Sequence, residues 1–291
     1  MKILVLVIVS FDKPVYYDML RVWRERILTI DCCDTDVWFI QCKSDAEWVG
    51  DIVNDLRERS SLRAQPDGCM NPPLCGQSQS SSLGSQSHSQ SQLLKDRFEL
   101  DIANKTLFIR GDECLIPGIL HKTVEALSFF LHHSTLLEPS FNSMGLSKAE
   151  YDEFPLFIWR TNLSSVLDFE GLQRYLGTIN LSGFYGGYIG LGYLNNGSST
   201  FFASGAGFLM SRDVAEYLVS NRDSLRWDLI DDVAIGALLE PRYGIVHIER
   251  CWIQSGEEVV GSNGVFHYRC ESYQHLRTVE FMQYVIRGLS K

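Results

Sequence analysis

Residues 3–41 read ILVLVIVSFDKPVYYDMLRVWRERILTIDCCDTDVWFIQ, and their changes of pattern decide the architecture. The apolar run Ile3–Val9 is far shorter than the roughly 20 residues needed to cross a bilayer. It is expected as a strand, Ile3–Ser10, buried on both faces. Pro14 then opens an amphipathic helical pattern through Leu28, with proline in the first turn, where its missing N–H does no harm. Val37–Gln41 (VWFIQ) is a second strand.

Working outward, the alternation continues. A helix is expected over Asp45–Arg59, a strand at Thr106–Arg110, a helix at Ile116–His132, a strand at Pro155–Arg160 and a helix at Asp168–Leu176. Strands alternating with helices predict an α/β fold with a mostly parallel central sheet covered on both faces. The second half is richer in glycine and aromatics (GFYGGYIGLGY, residues 183–193; FFASGAGFLMS, residues 201–211), as expected of irregular strands lining a cleft. A helix from about Gln274 to Leu289 closes the chain. Gln65–Gln92 is a Ser/Gln tract almost free of core-forming residues, and is expected to be a disordered insertion in one domain spanning residues 1–291.

Composition narrows the functional classes. With 45% hydrophobic residues, the 291-residue chain can bury a full core. Lys plus Arg is 26 against 36 Asp plus Glu, a net charge of −10, which argues against a nucleic-acid partner but leaves room for a local anion pocket. No integral membrane segment is evident. Lys2 is the one cation ahead of the first apolar run and no small-residue cleavage site follows it, so a cytoplasmic protein is expected, host-cytoplasmic if viral. The eight cysteines contain no C-x-x-C pair and read as free thiols of a reducing compartment. The sequons at Asn104, Asn162, Asn180 and Asn196 matter only in a secreted protein.

In open α/β sheets, ligands bind beyond the carboxyl ends of strands. Polar clusters fall there: Ser10-Phe11-Asp12 after the first strand, Arg160-Thr161-Asn162-Leu163-Ser164-Ser165 after FPLFIW, and Asp231-Asp232 opening the helix DDVAIGALLE. Each alone also reads as a turn or helix cap. The turn SFDKPV after the first strand has no glycine, which excludes a dinucleotide-binding enzyme of the Rossmann type.

Four blocks in order make the reading more specific: GDECLIPGILHKTVEALSFF, FIWRTNLSSVLDFEGLQRYL, FFASGAGFLMSRDVAEYL and DLIDDVAIGALLE. Over Gly111–Glu240 this order resembles the fringe and β-1,3-galactosyltransferase family of nucleotide-sugar glycosyltransferases. That family shows L-x-K-T, K/R-T-D-D-D, S-G-x-G-Y-x-x-S and E-D-V-x-x-G in the same sequence. The resemblance implies a GT-A glycosyltransferase fold, Rossmann-like, in the compact anchorless form found in large DNA viruses or microbes.

The activity it implies is inverting transfer of a galactose, N-acetylglucosamine or xylose type of sugar. The donor would be a UDP-sugar and the acceptor a hydroxyl of a glycan or glycoprotein. Asp232 would be the general base, taking the proton of the attacking hydroxyl. Donor binding would fall to Ser10, Asp12, Lys122, Arg160, Thr161, Asn162, Ser164, Ser165 and Arg269. Acceptor binding would fall to Gly205, Ala206, Gly207 and Asp231. Asp231 and Asp232, adjacent on a helix, are expected to point apart.

The family's metal-binding D-x-D aligns with Asn162-Leu163-Ser164, where neither end residue is a carboxylate. Manganese or magnesium wants anionic oxygens, so the diphosphate would meet either a loosely held cation or Arg and His. His267 in VFHYR is the candidate metal ligand and Arg269 a phosphate clamp. Trp159, Trp252, Tyr185 and Tyr188 are candidates to stack on a base or sugar. The alternative reading is a non-catalytic glycan- or nucleotide-binding module derived from such an enzyme.

Overall fold

In the computed structural model, residues 2–10, 13–28, 34–47, 97–132, 156–194, 197–256, 260, 264–270 and 277–290 are described. Strand β1 (Lys2–Ile8) is buried along its whole length at the middle of an eight-stranded sheet. Its parallel neighbours are β2 (Thr35–Lys43) and β5 (Leu156–Asn162), and β4 (Thr106–Arg110) pairs parallel with β2 beyond them. Antiparallel strands flank this parallel centre. β3 (Phe98–Asp101) pairs with β4 on one side. On the other, β8 (Ser199–Ser211) pairs with β5 and β7 (Tyr185–Tyr193) with β8, and β9 (Val246–His247) lies parallel to β7.

Alternation along β1 assigns its side chains to two cores, since successive Cβ atoms point to opposite faces. Leu4, Leu6 and Ile8 pack with helices α2 (Gly118–His132), α4 (Arg212–Ser220) and α5 (Asp231–Tyr243). Ile3, Val5, Val7 and Val9 pack with α1 (Val15–Ile27), α3 (Phe169–Leu176) and α6 (Thr278–Leu289). Both faces are therefore covered by helices, which is why β1 reads as an unbroken apolar run. Among the described residues no helix is long and apolar enough to cross a membrane.

A second, three-stranded sheet joins β10 (Cys251–Ile253), β11 (His267–Cys270) and β6 (Ser165–Leu167). This sheet is absent from the sequence reading. Thr161 and Asn162 extend β5 beyond its expected end at Arg160, Leu163-Ser164 turns, and Ser165 opens β6. Asp168 stands at the N-cap position of α3, with no side-chain capping bond. The Ser/Gln tract at Gln65–Gln92 and most of the expected helix Asp45–Arg59 lie outside the described residues.

The feature that shapes the site is in β8. Gly187 pairs with Phe208 and Ile189 with Ala203, so Ser204, Gly205, Ala206 and Gly207 stand opposite Tyr188 alone. The surplus chain leaves the β7 ladder as a bulge, while Gly207 stays paired with Thr161 on β5. Gly207 tolerates no side chain there: a Cβ would sit 2.6 Å from Trp159 Cζ2 and 2.7 Å from His267 Cε1.

Candidate functional site

A cleft of about 440 Å³ opens where the carboxyl ends of β1 and β5, the β8 bulge and the start of α5 converge. Its lining mixes apolar and charged groups. Ile8, Tyr16, Leu115 and Ile119 contribute apolar surface, with Ser10. Asp231, Asp232, Arg250, Arg269, Trp252 and the Ser204–Ala206 bulge line it as well.

The two acids that open α5 take different partners. Asp231 forms an ion pair with Arg160, whose guanidinium also donates to the Gly205 carbonyl. Asp232 accepts from the Gly205 N–H through Oδ2 at 2.8 Å and from the Val233 N–H through Oδ1 at 2.9 Å. The side chains do not diverge as expected of helix neighbours. A Cβ on Gly205 would lie 3.2 Å from Asp232 Oδ2 and 3.5 Å from Asp231 Oδ2, so both carboxylates face the same stretch of β8. Burial raises the Asp232 pKa above its ordinary 3.8, and the charge of Asp231 raises it further; Gly205 and Arg160 oppose the shift. A carboxyl group tuned upward in a cleft suits proton abstraction near neutral pH.

The turn after β5 is pinned from both sides. The Trp23 indole of α1 donates to the Leu163 carbonyl at 3.1 Å. Asn162 Oδ1 accepts from Arg269 Nη1 at 2.6 Å, from Ser164 Oγ at 3.1 Å and from Ser165 Oγ at 3.4 Å. This donor set does not fit a hard divalent ion: its one well-placed oxygen is neutral and already holds a guanidinium. Among the described residues, no three His, Cys, Asp or Glu side chains come together as a metal cluster.

Of the residues singled out from sequence, Ser10, Arg160, Asn162, Ser164, Gly205, Ala206, Asp231, Asp232 and Arg269 line the cleft. Others stand behind its wall. Thr161 and Ser165 are fully buried and donate to the Ala206 carbonyl at 2.7 and 2.8 Å, fastening the bulge. His267 is fully buried, with Nε2 3.3 Å from Ser165 Oγ, and its ring packs edge-on to Trp159. Its pKa falls to about 3, from burial first and then from the charges of Arg250 and Arg269, so it is neutral.

Lys122 is likewise buried, donating to the Val9 carbonyl and to Glu113, each at 2.6 Å. Glu113 in turn accepts from Ser10 Oγ at 3.3 Å and from the Cys42 N–H at 2.9 Å, tying the ends of β1 and β2 to α2. Trp159 and Tyr185 belong to the core. Asp12 lies outside the described residues.

Arg250 is the residue that sequence reasoning missed. Its guanidinium lies 4.1 Å from the Tyr188 ring centroid and 4.3 Å from that of Trp252, and Nη1 donates to Ser204 Oγ at 2.9 Å. The available signal was weak, an arginine two residues ahead of an exposed tryptophan.

No family model and no curated protein matches the chain. Solved structures do match: the chain is similar to the apo form of mouse xyloside xylosyltransferase 1, at 8% identity over 92% of this chain and 96% of that one, with a TM-score of 0.35.

Proposed function

We propose that the protein is an inverting glycosyltransferase that moves a sugar from a UDP-sugar to a hydroxyl of a glycan or glycoprotein. One observation carries the reading: a half-buried carboxylate, Asp232, with raised proton affinity, fixed by the Gly205 N–H in a cleft that Arg250 and Arg269 also line. The motif order over Gly111–Glu240 supports it, as does the place of the cleft at the carboxyl edge of the parallel strands.

In the reaction, the acceptor hydroxyl gives its proton to the Asp232 carboxylate as its oxygen forms a bond to the anomeric carbon. The bond from that carbon to the donor phosphate breaks, and the diphosphate leaves with the electron pair. The charge that develops there needs fixed positive groups, and the guanidiniums supply them. Asp231 is tied to Arg160, so its part is to hold Arg160 and the Gly205 carbonyl in place. No step runs through a metal ion.

The apolar lining residues, Tyr16 and Leu115 among them, suit a flat nucleobase, and the β8 bulge offers backbone to sugar hydroxyls. The test is donor hydrolysis and transfer over a panel of UDP-sugars, with wild type against Asp232→Asn. Turnover that Asp232→Asn leaves unchanged refutes the assignment of the base. A second reading, a binding module without catalysis, is favoured by the neutral Asn162 where the family carries a carboxylate; UDP binding with no turnover of any donor would establish it.

A further inference from the structure

We infer that Arg250 and Arg269 form a two-guanidinium clamp that holds the diphosphate of a nucleotide without a divalent cation. The nucleotide in this statement rests on the function proposed above; the clamp itself is an anion site and stands on geometry.

The small sheet builds it. β10 and β11 run parallel, with Cys251 opposite Tyr268, Trp252 opposite Arg269 and Ile253 opposite Cys270. Ile253, Tyr268 and Cys270 are buried in the core, and Trp252 and Arg269 line the cleft. Arg250, two residues before Trp252, also lines the cleft. The result is a cation, an aromatic ring and a second cation on one surface.

Each fork has its direction set by groups at the cleft wall. Arg250 lies against the rings of Tyr188 and Trp252 and donates to Ser204, and Arg269 donates to Asn162. The two charges also act on one point, since both hold buried His267 toward its neutral form.

A diphosphate diester carries one negative charge on each phosphorus, and two planar forks match those oxygens in number and geometry. Arg269 also binds Asn162 Oδ1, the oxygen that a cation at this turn would need. The same side chain thus supplies the charge of an ion and blocks its ligand.

The experiment is calorimetric titration of the full chain with UDP and, separately, inorganic pyrophosphate, each with EDTA and with manganese. Expected is binding of both probes in EDTA, changed less than about twofold by manganese. Arg250→Gln and Arg269→Gln should each weaken binding by about 10- to 100-fold, the range for charge-assisted hydrogen bonds. Each should also flatten the salt dependence. Arg250→Lys and Arg269→Lys keep the charge but lose the fork, and should fall between; they decide the matter if a Gln variant does not fold.

Binding lost in EDTA and restored by manganese overturns the inference, as does pyrophosphate that fails to bind or arginine variants that bind as wild type does. If pyrophosphate binds through both arginines but UDP binds no tighter, the clamp stands and the nucleotide reading fails. If UDP needs manganese while sugar transfer proceeds, the clamp fails and the transferase reading stands.

Discussion

Replacing Asp231 by alanine should destabilise the protein by about 3 kcal/mol, the lower end of the range for breaking a buried ion pair. The Arg160 side chain is 3% exposed and that of Asp231 10%, so the pair is shielded from water. Arginine does not lose its proton in proteins, and Asp231→Ala therefore strands a full charge inside. Two contacts soften the loss: the Gly205 carbonyl still accepts from Arg160, and the guanidinium carbon lies 5.6 Å from the Phe208 ring centroid. The double variant Arg160→Met, Asp231→Leu removes both charges and should be within about 1 kcal/mol of wild type, because hydrophobic replacement of a buried pair is often neutral. Urea unfolding followed by tryptophan fluorescence measures each, compared at constant m. A single-variant loss below about 1 kcal/mol, or a double variant as unstable as the sum of the singles, refutes the reasoning.

Asp232→Asn should lower transfer by about 10²- to 10⁴-fold, the usual contribution of a general base, and the wild-type rate should climb with pH through the raised Asp232 pKa. The folded state binds that proton more tightly than the unfolded chain, so Asp232 costs wild type stability as pH rises above 3.8; Asp232→Asn should gain on wild type between pH 3 and pH 7 in the same urea experiment. Gly207→Ala should lose about 1–3 kcal/mol through overpacking against Trp159 and His267, and a thermal midpoint equal to wild type would contradict the packing described. Burial pushes the half-buried Cys42 thiol up to about 12, so iodoacetamide at pH 8 should label exposed Cys114 well before Cys42, as peptide mass analysis would show.

What the sequence made legible is what repeats locally. Thr106–Arg110 is a strand within those same bounds, and β1, α1 and α3 lie within two residues of expectation, because burial on two faces leaves an unbroken apolar run and burial on one leaves a period. The carboxyl-edge polar clusters were legible for the same reason, as breaks in that period. The small sheet was not. Its strands β6 and β10 have three residues and β11 four, too few to show a period, and its pairings join segments remote in sequence. Without that sheet Arg250 had no visible neighbours, and nothing showed that Asn162 meets Arg269 or that Ser165 opens a strand. Lys122 and His267 were misplaced in a different way: residue type marks them as polar, but only the packed structure shows them behind the wall rather than in the cleft.

The link between β6 and β11 also bears on how the molecule assembles. Arg269 reaches back 107 residues to Asn162, and His267 reaches back 102 to Ser165. Both contacts need β11, which follows every strand of the parallel centre in the chain and leaves the ribosome after them. During synthesis, the parallel centre can pair while the charged wall of the cleft does not yet exist. Hydrogen exchange should then find β6, β10 and β11 opening together at lower free energy than β1 and β5, as one cooperative unit. The part of the protein assigned to chemistry would be the last to fold and the first to open.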